Sequence, residues 1–152
     1  MTRILTTTTA VLALALAIAA GATAAPKLLE NTALEGVTAG RPVVRGVTGA
    51  GLPWVVADGT MAKVSADGEL KVVVHGLLFA PGTPLAGTRG TIEQVKATVV
   101  CADGSLVDSA PVPLSLEGDA SVRETVTLPA GCTDPIVMVR SLTGAWFART
   151  PG

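Results

Sequence analysis

The sequence predicts an all-β domain, an antiparallel β-sandwich of seven or eight strands. Three observations carry this. From Leu52 onward, short runs rich in Val, Thr and Ile alternate with turn signals at intervals of about 8–12 residues, the punctuation of antiparallel strands. The tripeptide Ala-Asp-Gly recurs at 57–59, 66–68 and 102–104, and Asp-Gly tolerates the positive φ that hairpin turns require. After Ala25 no long run carries the 3.6-residue apolar period of a helix. Two packed sheets of immunoglobulin-like or jelly-roll-like form meet these signals. A closed barrel is the alternative, because its local pattern is the same.

Taken in order, the chain opens with an export signal. Arg3 supplies a positive start, Ala10 to Ala20 are apolar throughout, and Ala22-Thr23-Ala24 has the small-x-small form of a signal-peptidase site. The apolar run falls short of the roughly 20 residues that span a bilayer. We therefore assign residues 1–24 to a cleaved signal and expect a secreted product with no membrane span after cleavage. No cysteine near the cleavage site offers a lipid anchor. Residues 25–43, mostly "APKLLENTALEGVTAG", read as an N-terminal arm or an edge strand, and residues 44–152 as the sandwich.

Within the sandwich, "ELKVVVHGLL" places Leu70, Val72, Val74 and Leu78 on one face, with Lys71, Val73, His75 and Leu77 on the other. Residues 79–90, "FAPGTPLAGTRG", form a long Pro/Gly-rich connection, a length more often functional or mobile than merely connective. "TIEQVKATVVC" alternates Val95, Ala97, Val99 and Cys101 against Gln94, Lys96 and Thr98. In "ASVRETVTL" (120–128), Glu124 interrupts the apolar face of Val122, Val126 and Leu128, so either that face is partly open or a bulge resets the register. "PIVMVRS" (135–141) is apolar on both faces, as a central strand is. "AWFAR" (145–149) closes the series.

Loss of Arg3 with the signal reduces the 11 basic residues by one against 12 acidic ones, leaving a net charge of −2. That balance gives no basic footprint for nucleic acid. An oxidising destination favours pairing of the only two cysteines. A Cys101–Cys132 disulfide is expected to lock the strand layers together and to stabilise the fold by roughly 3–4 kcal/mol. A catalytic cysteine would need a histidine beside it, and one His with two Cys lacking C-x-x-C spacing falls short of a zinc set. The Ala-Asp-Gly aspartates stand singly, unlike the converging oxygens of a calcium loop. No metal or cofactor is expected.

Aromatics are few. Trp54 alternates with Leu52 and Val56 and reads as core. Trp146 and Phe147 are adjacent, so in a regular strand they point to opposite faces, one inward and one to a surface or interface; they are candidate binding residues, a platform for a sugar ring. Pro84, Leu85 and Arg89 in the long loop are the others. His75 sits on the polar face of its strand. No G-x-S-x-G elbow or H-E-x-x-H motif accompanies it.

"GLPWVV" (51–56), "VVCADGS" (99–105), "LPAGC" with "PIVMV" (128–139) and "GAWFA" (144–148) together resemble a group of short exported proteins of Gram-positive soil bacteria. The likeness covers most of residues 44–149. It implies a small secreted β-domain with one disulfide, and it implies no activity and no catalytic residues. The expectation is a non-enzymatic extracellular module that binds a glycan or protein ligand. Two alternatives stand beside it: a protease inhibitor presenting residues 80–89 with Arg89 or Leu85 in the protease pocket, and a hydrolase using His75 with remote acids.

Overall fold

The computed structural model describes residues 23–152, so the expected export signal lies outside the described residues except for its last two positions. The strands are β1 Lys27–Ala33, β2 Glu35–Gly36, β3 Val43–Val44, β4 Val47–Thr48, β5 Trp54–Val55, β6 Met61–Ser65, β7 Glu69–Val74, β8 Leu78–Phe79, β9 Gln94–Val100, β10 Leu106–Asp108, β11 Val112–Pro113, β12 Ala120–Thr125, β13 Ile136–Arg140 and β14 Trp146–Arg149. Eight of these have three residues or more, matching the number expected; the other six are two-residue pairings at edges and in connections.

One sheet has the order β1-β6-β7-β12 and the other β10-β9-β13-β14-β2, with β11 extending the β10 edge along β9. All pairings within them are antiparallel. Among the described residues both sheets end in unpaired edges and neither closes on itself, so the barrel alternative falls. The inward rows Ala62, Val64, Leu70, Val72, Val74 and Val122 of the first sheet and Val95, Ala97, Val99, Val137 and Val139 of the second share one core. Residues 27–36 supply edge strands to both sheets.

The second sheet is covered on its other face as well. Val44 and Val47 pair across a two-residue turn, Arg45-Gly46, in which both residues have positive φ (47° and 81°), the backbone of a tight type I′ hairpin. This β3–β4 ribbon lies over the sheet. Arg45 donates to the carbonyls of Val100 (3.0 Å) and Asp134 (2.6 Å), and the Trp146 indole donates to the Val47 carbonyl (3.1 Å). Double cover explains why every residue of β13 is buried, and why its sequence is apolar on both faces.

Two expectations change, and one alternative is decided. The alternation of β7 stops at Val74 because Gly76 turns the chain at φ +58°; Leu77 is therefore fully buried and Leu78 only half-buried, the reverse of their assigned faces. The β12–β7 register runs unbroken past Glu124, so no bulge intervenes. Glu124 faces Leu70 across the strands and accepts the Ala110 N–H (3.1 Å) from the connection between β10 and β11, filling an open corner between the sheets. The Cys101–Cys132 disulfide forms as expected, with Cα atoms 5.1 Å apart. It does not tie the layers directly, because Cys101 follows β9 and Cys132 precedes β13, neighbours in the same sheet.

Candidate functional site

The outward side chains of β9 include Lys96 and Thr98, and strand pairing sets Asp108 of β10 beside Thr98 and Arg140 of β13 beside Lys96. Three adjacent strands thus bring four polar groups together on the outer face of this sheet. The Asp108 carboxylate takes Lys96 Nζ at 2.5 Å, Thr98 Oγ1 at 2.6 Å and Arg140 Nη1 at 3.3 Å. Partial burial by itself would raise the Asp108 pKa; the hydrogen bonds from Lys96 and Thr98 and the charges of Lys96 and Arg140 outweigh it and hold the carboxyl below its ordinary value of 3.8. Arg140 also donates Nε to the Gly144 carbonyl at 2.8 Å. Its Nη2 has no protein acceptor among the described residues.

Beside this cluster, under the β3–β4 ribbon, opens a cavity of about 420 Å³ whose wall includes Arg140, Arg41, Thr48, Thr143, Gly51 and Gly144. No acidic residue lines it. Arg41 has φ +53° and follows Gly40 at +98°, a left-handed conformation that costs an L-residue about 1–2 kcal/mol. Strain of this kind persists where surrounding structure imposes it. The conformation leaves Arg41 exposed, without a hydrogen bond or ion pair to any described residue.

No model of a known protein family matches this chain, and no solved structure matches it.

The residues singled out in the sequence are distributed elsewhere. Trp146 and Phe147 were expected to divide between inside and surface, but both are buried, at 3% and 4% exposure. Trp146 pairs with the outward-facing Arg140 and is buried there because the β3–β4 ribbon covers that face. Phe147 packs on Trp54, with ring centroids 4.4 Å apart, and Trp146 lies beneath the ribbon with the Arg149 guanidinium 5.8 Å over its ring. Neither offers a platform to a sugar. The 79–90 loop folds on itself: Phe79 and Thr88 are joined by an N–H to carbonyl bond of 2.9 Å, and Gly87 returns one to Phe79 at 3.0 Å. Pro84 and Leu85 are exposed at its tip. Arg89 turns inward, donating Nη1 to the Ile92 carbonyl, with its Nε buried and unpartnered. It does not project as a protease-directed side chain.

His75 has an acid within reach, since its Nδ1 lies 3.5 Å from Asp119 Oδ1. The pair borders a largely apolar groove of about 440 Å³ that also contains Ser115 and Ser121. Asp119 Oδ1 already accepts the Gly76 N–H at 3.0 Å, and Ser115 Oγ accepts the Asp119 N–H at 3.1 Å. These contacts hold the turn before β12. Both side chains are about half exposed, so the site does not exclude water as acid–base catalysis favours.

The polar cluster beside the arginine cavity had a trace in the sequence. The β9–β10 hairpin is centred on Asp103, so Thr98 falls opposite Asp108. What counting could not supply is the neighbour on the other side of β9, Arg140 of β13, or the ribbon that places Arg41 near the same face.

Proposed function

We propose that the protein is a secreted, non-enzymatic β-domain that binds an extracellular ligand in the cavity beneath the β3–β4 ribbon. The observation that carries this reading is the cavity itself: two arginines with unused donors and no acid in the wall, in a chain whose formal net charge is −1. Ligand sites characteristically combine a concave surface with a few placed polar groups on a rigid scaffold. The disulfide supports an oxidising destination, as do the expected signal and the resemblance to exported proteins.

Incubating the purified domain with isolated cell walls and secreted polysaccharide, followed by sedimentation, tests the proposal. Retention of the domain with no turnover of glycan or ester substrates is the expected result. Turnover that disappears in His75→Ala would replace the binding reading with the hydrolase.

A further inference from the structure

The wall of the arginine cavity bears on the kind of group it receives. Arg140 is anchored by Nε to the Gly144 carbonyl and by Nη1 to Thr98 and Asp108, which leaves Nη2 as its one uncommitted nitrogen. Asp108 offsets one positive charge, but it already serves Lys96, whose ammonium lies 2.5 Å away. Arg41 retains its whole planar fork. The two guanidinium groups each lie against a glycine: a methyl group at Gly51 would stand 3.2 Å from Arg41 Nε, and one at Gly144 would stand 3.2 Å from Arg140 Nη2. Thr48 and Thr143 add hydroxyls to the wall, and Leu106 adds an apolar side.

A guanidinium fork presents two parallel N–H groups at the spacing of carboxylate oxygens, and such charge-assisted pairs are the stronger and more directional hydrogen bonds. A phosphate would bring a third oxygen and a second charge. With the Arg140 donors largely committed, the wall is better matched to two oxygens and one charge. The cavity volume of about 420 Å³ leaves room for a body about the size of one sugar unit behind that group. No aromatic residue lines the cavity, so stacking contributes nothing and the charge must supply selectivity.

Resting on the proposed binding role, we infer that this cavity is a carboxylate-recognition site, with Arg41 as the principal ligand-contacting residue, Arg140 Nη2 as a second donor, and an acidic monosaccharide unit as the class of ligand. Arg41 stands free of partners among the described residues because its partner is the ligand. Glycine at 51 keeps the approach to its guanidinium open.

Titration of the oxidised domain with glucuronate, glucose and inorganic phosphate, followed by calorimetry or NMR shifts at low ionic strength, tests the assignment. Glucuronate is expected to bind at least tenfold more tightly than glucose or phosphate, with shifts at residues 41–51 and 140–145. Arg41→Gln should weaken glucuronate binding about tenfold or more while leaving the melting temperature within a degree or two of the parent. Gly51→Ala should weaken it as well, because the added methyl crowds Arg41. Arg123→Gln, which removes the same charge from the exposed face of the other sheet, should leave it intact. Equal binding of glucose and glucuronate, tighter binding of phosphate, or an unaltered affinity in Arg41→Gln overturns the carboxylate site. Sedimentation with cell-wall material separates the two readings: if Arg41→Gln still co-sediments like the parent, the domain binds its ligand elsewhere, and the carboxylate site and the cavity as the place of binding are lost while the extracellular binding role stands, whereas if the parent itself fails to sediment yet binds glucuronate, the cell-surface role is lost and the site stands.

Discussion

At the scale of single residues, Asp108 carries the most electrostatic consequence. Its carboxylate is the common acceptor for Lys96, Thr98 and Arg140, and the two cationic side chains are mostly buried, at 17% and 11% exposure. Asp108→Asn keeps an oxygen for Thr98 but removes the charge those cations face. Allowing for solvent screening at the partly open carboxylate, the expected loss is about 1–2 kcal/mol near neutral pH. The sign with pH follows from the direction of the shift. A carboxyl whose folded pKa lies below its unfolded value contributes stability above about pH 4, and that contribution disappears as pH falls through the folded value. Asp67 and Asp103 are shifted in the same direction, each first by a serine hydroxyl, Ser65 and Ser105. Chemical denaturation from pH 7 to pH 2.5 should therefore show the gap between parent and Asp108→Asn closing below about pH 4, while a shallower acid limb from the other two aspartates persists in both. A gap that stays constant down to pH 2.5 would mean that the Asp108 charge has no special role.

Among elements, the hairpin turns rank the glycines that the sequence marks only as alike. Gly68 and Gly104 both follow Asp in an Ala-Asp-Gly turn and have nearly the same φ, +87° and +84°. A methyl at Gly104 meets nothing within 4 Å, whereas one at Gly68 would fall 1.8 Å from the Val126 carbonyl oxygen. Gly104→Ala should cost only the left-handed penalty, about 1–2 kcal/mol. Gly68→Ala must also displace backbone next to β12, and a loss of roughly 3 kcal/mol or more is expected. Equal urea midpoints for the two variants would refute the distinction. The comparison shows where sequence reading stops. Turn chemistry and two-residue alternation are local, so the three Asp-Gly turns, the inward row of β9 and the doubly apolar β13 were legible. Leu77 and Leu78 exchanged faces because a glycine turn at 76 interrupts the period, and Trp146 is buried like Phe147 because the β3–β4 ribbon covers its face. The arginine cavity depends on contacts between residues about a hundred positions apart, and no local pattern encodes those.

For the whole molecule, the disulfide has a wider reach than the two neighbouring strands it joins. Between Cys101 and Cys132 the chain forms β10 and β11 along the edge of one sheet, crosses to add β12 to the edge of the other, and returns to begin β13. The bridge therefore closes the one excursion of this region between layers, a loop with a sequence separation of 31 residues. On loop-entropy grounds, opening it costs roughly 3–4 kcal/mol, a large share of the roughly 5–15 kcal/mol that stabilises a domain. The expected behaviour of Cys101→Ser with Cys132→Ser is a domain that still folds, because the inward rows of both sheets are built from other residues, but that melts on the order of 10–20 °C lower. Hydrogen exchange should locate the loss. β12 is held on one side only, by β7, and Glu124 is its tie to the opposite sheet, so β12 and the β10–β11 connection should lose protection before β6, β7 and β13. Uniform loss across both sheets would show that the bridge acts on the whole unfolded chain without singling out the crossover, and a shift in melting temperature of less than about 3 °C would show that the loop it closes is already ordered by other contacts.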